Sequence, residues 1–185
     1  MYKHIASTLL CFTLLFCLEA DHVIFNKIVI QPSGAELVSI YNPTDNPINL
    51  SNYYLSDAEY STINKNYYNL PTGNNYWSGF NSDFIAKFPD NTIIESHESI
   101  IIALDDENSF NNYYGDYYSD VEIFYLQTDM LDAFDGQNTI GASAELADNY
   151  EVLILFKWDG SSNSLIQDVD YFYWGDSQGL NFYGI

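Results

Sequence analysis

Apolar and polar residues alternate along much of this chain with the period of two that belongs to β-strands, and turn-forming clusters interrupt them at short intervals. The clearest run is Glu36-Leu37-Val38-Ser39-Ile40-Tyr41, which passes directly into Asn42-Pro43-Thr44-Asp45. Proline has no N–H for a ladder, and an asparagine side chain can hydrogen-bond the backbone that follows it, so the strand stops there. Asp45-Asn46-Pro47 repeats the punctuation before Tyr53-Tyr54-Leu55 opens a further strand. Upstream, Val23 to Ile30 predicts a first strand, ended by Gln31-Pro32-Ser33-Gly34. Residues 58–82 lose all periodicity; dense in Asn, Tyr, Gly and Ser, they predict a long insertion loop.

Periodicity returns at Phe84-Ile85-Ala86-Lys87-Phe88. Ile100-Ile101-Ile102-Ala103-Leu104 is a short continuous apolar run, which suits a strand covered on both faces. Asp105 to Asp120 reads as a second polar, tyrosine-rich stretch, and Val121-Glu122-Ile123-Phe124 as a short strand. A helical turn is expected around Met130–Phe134, inside the small, acidic stretch from Asp129 to Asp148. Finally Glu151–Phe156 and Leu165–Trp174 flank Asp159-Gly160, a dipeptide that favours hairpin turns. The expected fold is all-β, with no internal repeat and no long helix.

The order of these segments resembles the lamin-tail domain family. There an E-x-x-E-I-Y-N-P-[ST] strand is followed by V/I-x-L-S-x-W/Y-x-L-S-D, matched here by Glu36–Thr44 and Ile48–Asp57. Phe88 to Ala103 follows the family's f-P-x-x-T-x-I-x-x-x-E-x-I-x-I-A, with Ser96-His97 where relatives usually place Pro-Gly. Glu151–Gly160 and Leu165–Asp176 are similar to the terminal hairpin of bacterial members. The likeness spans about residues 23–176 in three islands. It implies an immunoglobulin-like β-sandwich, here with long polar insertion loops, and a binding or scaffolding role in exported, surface-associated proteins.

The length allows one domain plus a targeting segment. Lys3 and His4 precede an apolar run from Ile5 to Leu18, and Ala20 is a plausible cleavage point, so residues 1–20 read as a signal peptide. The domain is then 21–176, and 177–185 is expected to open a further region of a longer secreted protein. Both cysteines, Cys11 and Cys17, lie in the export segment. Leu14-Leu15-Phe16-Cys17 is similar to a lipobox, and lipidation of Cys17 would anchor the protein to a membrane; Phe16, where a small residue is usual, argues against it. The chain carries 26 acidic residues against 5 lysines. Such a balance would repel phosphate backbones, so nucleic acid is not an expected partner.

Candidate chemistry is sparse. His22 and His97 lack a recognisable nucleophile setting, and neither a phosphate loop nor zinc spacing is present, so no catalytic residue or cofactor site is expected. Asp168 and Asp170, two apart on a strand, are expected to share a face, most simply the solvent face. The oxygen-rich loops at Asp105, Asp106, Asp132 and Asp135 are weak calcium candidates. Four aromatic pairs, Tyr67-Tyr68, Tyr76-Trp77, Tyr113-Tyr114 and Tyr117-Tyr118, stand in polar loops. Either they form a recognition surface for a protein or surface glycan, or they fold back over the sheet edges. A carboxylate-only hydrolase remains a further alternative, which needs two carboxyls about 5–10 Å apart across a cleft.

Overall fold

The computed structural model describes residues 20–57, 59–60, 65–72, 83–133 and 144–175. The expected signal peptide with Cys11 and Cys17 (Ala20 apart) and the tail 177–185 lie outside these residues. The chain forms an all-β fold in which two larger sheets share one core.

The first sheet begins with β1 (Ile24–Val29) and β2 (Leu37–Tyr41). A minor strand β3 (Ile48–Asn49) leads to β4 (Tyr53–Ser56), the first strand of the second sheet. Within the insertion lie a small pair, β5 (Glu59–Tyr60) and β6 (Lys65–Asn66), and a 3-10 turn over Tyr67–Thr72. Then come β7 (Ile85–Lys87), β8 (Ile93–Ile94), which pairs with β3, and β9 (Ser99–Ala103). Helix α1 (Glu107–Tyr114) and a 3-10 turn over Gly115–Tyr118 cross to β10 (Glu122–Tyr125). The chain finishes with β11 (Leu131–Asp132), β12 (Tyr150–Lys157) and β13 (Gln167–Gly175). One sheet has the order β1-β2-β9-β10, with β9 and β10 parallel. The other runs β11-β7-β4-β12-β13.

Alternation explains the shared core. Val38, Ile40, Ile100 and Ile102 point inward from the first sheet, and meet Tyr53, Leu55, Ala86, Leu153 and Leu155 from the second. The opposite faces are apolar too. Leu37, Ile101 and Ala103 pack under Phe110 of α1, while Tyr54, Ile85, Val152, Ile154 and Phe156 pack under Tyr67 and Leu70. The Ile100–Ala103 run is therefore buried on both sides, as its lack of alternation required.

The turn after β2 is built by one side chain. Asn42 is fully buried; its Oδ1 accepts from the Thr44 N–H (3.0 Å) and its amide donates to the Asn46, Ile94 and Glu95 carbonyls. Across from it His97 adopts the left-handed backbone at φ 60, the conformation a glycine would supply at that turn.

Four expectations need correction. Asp105–Asp120 contains α1, because Asp106 caps it by accepting from the Ser109 N–H (2.8 Å) and Phe110 packs into the outer face of the first sheet. Around Met130 the chain forms β11, paired with β7 through Asp132 and Ala86, instead of a helical turn. The connection between β12 and β13 is a loop over 158–166, longer than a two-residue turn, with Gly160 at φ 81. Lastly, Asp168 and Asp170 do not share a face. Consecutive Leu155 and Phe156 pair with Asp170 and Asp168, so Val169 bulges out and reverses the side-chain parity. Val169 turns to the shared core, and Asp170 accepts from the Phe25 N–H (2.7 Å), tying β13 to β1 across the two sheets.

Candidate functional site

The described tyrosine pairs are not split between two fates; each pair is split within itself. Tyr67 is buried and its hydroxyl donates to Asp168 (2.9 Å), while Tyr68 is 42% exposed. Tyr114 donates to the Ala35 carbonyl (2.6 Å) and packs at a tilt against Phe110, while Tyr113 is 54% exposed. Tyr118 receives the Lys27 ammonium on its hydroxyl (2.6 Å), while Tyr117 stands 76% exposed beside it. The inward ring covers an apolar sheet face and finds a partner for its hydroxyl, as a buried phenol must. The outward ring keeps more of its surface in solvent. Tyr76, Trp77 and Asp135 lie outside the described residues.

A larger aromatic surface lies on β13, where no site was expected. Tyr171 and Tyr173 are opposite Ile154 and Val152, on the outer face, and Tyr150 of β12 is diagonal to Tyr173. All three rings are about half exposed, and so is Phe172 on the other face, where it stacks with Trp174. The run Asp-Tyr-Phe-Tyr-Trp was the available signal: large rings on both faces of one strand cannot all enter a core. Among the described residues β13 is also the last strand of its sheet. At nine residues it is long for an edge, and its Tyr171–Gly175 half carries neither lysine nor proline. The Val169 bulge and the Asp170 bond to β1 protect the first half of β13 only, whereas β1 is bulged at Asn26 and carries Lys27, and β11 has two residues.

The carboxylates divide between structural work and solvent. Asp105 accepts from the Asp106 N–H (2.8 Å) and the Gln127 amide (3.1 Å), Asp106 caps α1, and Asp132 sits in β11 on the other sheet. Among the described residues no group of three or more His, Cys, Asp or Glu is placed to hold a metal ion. Among the described residues two acidic groups are buried. Glu36 accepts from the Leu146 N–H (3.0 Å), and burial lifts its carboxyl to about 7, with Glu145, Asp148 and Asp105 adding to the rise. Asp57 accepts from the Phe84 N–H (2.6 Å), closing the base of the insertion. Burial, then Glu151 and Asp83, hold it well above the usual carboxylate range. His22 contacts Asp21 (2.9 Å), and His97 contacts Asp45 (3.0 Å) and Tyr41 (3.4 Å).

No family model and no curated protein matches the chain. Among solved structures it is similar to the crystal structure of a DUF4876 family protein from Bacteroides thetaiotaomicron VPI-5482, at 17% identity and a TM-score of 0.47. That match covers 76% of this chain and 43% of the other, so the chain spans less than half of that protein's length.

Proposed function

We propose that this protein is a non-catalytic binding module of the lamin-tail type, an immunoglobulin-like β-sandwich that docks an extended segment of a partner protein along β13. One observation carries the reading: half-exposed Tyr171, Phe172 and Tyr173, with Tyr150 of β12 beside them, gather on the Tyr171–Gly175 half of an edge strand, beyond the Val169 bulge and the Asp170 bond to β1. Strand addition satisfies the edge's main-chain groups, and the rings supply contact area at little conformational cost. Charge selects the partner. With a net charge of −21 and Asp168, Asp170 and Glu151 on or opposite the strand, a second copy is disfavoured and a neutral or basic segment is preferred. The resemblance supports the sandwich and the binding role. The leader-like segment 1–20 supports export to the cell surface.

The test is selection of a peptide-display library against the mature protein. Selected peptides should be rich in β-formers and poor in acidic residues, and should protect β13 amides from hydrogen exchange. The double variant Tyr171→Asp, Tyr173→Asp should lose them. Peptides that protect another surface, or that bind the double variant equally well, would contradict the reading.

A further inference from the structure

We infer that the open cleft at the turn end of the β12–β13 hairpin is a binding site for a polyhydroxylated, sugar-class ligand. The cleft has a volume of about 470 Å³, within the range of small-molecule sites. Its walls come from the end of β12, the 158–166 loop, the first residue of β13 and the turn before β4. Lys157, Trp158, Asp159 and Gln167 line it together with Asn52 and Leu165.

The chemistry of this lining is mixed in the way hydroxyl groups require. A sugar hydroxyl both donates and accepts. The Lys157 ammonium only donates, the Asp159 carboxylate only accepts, and the Asn52 and Gln167 amides do both. Trp158 and the highly exposed Leu165 offer apolar surface for the C–H face of a ring. An apolar ligand would strand Lys157 and Asp159 without water. An anion would meet Asp159 and the field of an acidic protein. A hard cation would find a single carboxylate where several oxygen ligands are needed.

The groups are also held in place before any ligand arrives. The Trp158 indole N–H donates to the Ser161 carbonyl (3.0 Å), and its backbone N–H donates to the Asn52 carbonyl (3.0 Å). Asp159 accepts from the Ser161 N–H (2.8 Å) and the Ser164 hydroxyl (2.7 Å). The Ser164 bond first, then that from Ser161, hold the Asp159 carboxyl below its ordinary range. The Lys157 ammonium rests 4.5 Å from the centroid of the Tyr53 ring, with no ion-pair partner among the described residues. Fixing the donors and acceptors in advance lowers the ordering cost of binding.

The experiment is an amide NMR titration of the mature protein with soluble cello-, xylo-, malto- and chito-oligosaccharides at millimolar concentration. At least one should shift the Asn52, Lys157, Asp159 and Gln167 amides and the Trp158 indole N–H, and should saturate. Lys157→Met keeps the aliphatic stem over Tyr53 and removes the donor. It should retain the folded spectrum and weaken binding about tenfold, the size of one charge-assisted hydrogen bond. Tyr171→Ala should leave the affinity unchanged, which separates this cleft from the β13 surface. No shift at the lining with any of the four saccharides, shifts confined to the β13 tyrosines, or wild-type affinity in Lys157→Met would each overturn the proposal.

Discussion

The outer faces of the two sheets solve one problem with different parts. Both present apolar side chains that a single sheet pair would leave in water, and in both an insertion returns to cover them. On the four-stranded sheet the cover is α1 and the turn behind it, with Phe110 at the centre and Tyr114 and Tyr118 around it. On the five-stranded sheet it is the Tyr67–Thr72 turn, whose Tyr67 lies 5.1 Å from the Phe156 ring, itself stacked on Tyr54 at 4.9 Å. Among the described residues the second cover stops short of the C-terminal half of β13, and aromatic surface remains there. A tyrosine pair in a covering segment is thus one anchored ring and one more exposed ring, while a run of aromatics on an edge strand has no such division of labour.

Substitutions at the centre of each covered face should have the largest effects. Phe156→Ala and Phe110→Ala each remove a fully buried ring, and each should cost about 3–5 kcal/mol in urea unfolding. A much smaller loss for one of them would show that its cover is loosely packed. Gly175 closes the exposed strand at φ 91, and a Cβ there would lie 1.9 Å from the Asn149 carbonyl oxygen. Gly175→Ala should therefore destabilise by more than about 2 kcal/mol, whereas Gly160→Ala, with open space around its Cβ, should cost only about 1–2 kcal/mol of backbone strain.

The split within the pairs predicts a smaller contrast. Tyr67→Phe loses the bond to Asp168 and should cost about 1 kcal/mol, while Tyr113→Phe, on an exposed ring, should stay within about 0.5 kcal/mol of wild type. Equal effects would mean that Tyr67 does not anchor the cover.

Stability should also depend on pH through Glu36. Its carboxyl rises from 4.5 to about 7 on folding, so the folded chain holds that proton more tightly than the unfolded chain. Its stabilising contribution is full below about pH 4.5 and is lost as pH rises through about 7. The urea midpoint should fall across that window, and Glu36→Gln should flatten the fall. Asp57, raised in the same direction, contributes with the same sign.

What could be read in advance follows from how local each signal is. β2, β9 and β12 announce themselves because their burial is written in consecutive residues, and the Asn42 turn because its bonds begin two residues away. Helix α1 was obscured by its polar composition, although Asp106, Glu107 and Ser109 form a legible start. The Val169 bulge and β11 could not be read, since each is defined by the strand opposite, Leu155–Phe156 for one and β7 for the other. The same holds for the tyrosines. Which ring of a pair turns inward depends on the distant Asp168, Ala35 or Lys27 that meets its hydroxyl.

The most direct single measurement is the nitration pattern of the native protein under limiting tetranitromethane, read residue by residue by mass spectrometry. Tyr68, Tyr113 and Tyr117 should react together with Tyr150, Tyr171 and Tyr173, while Tyr67, Tyr114 and Tyr118 stay protected until the protein unfolds. Protection of the β13 tyrosines, or reaction of Tyr67 as fast as Tyr68, would contradict the account.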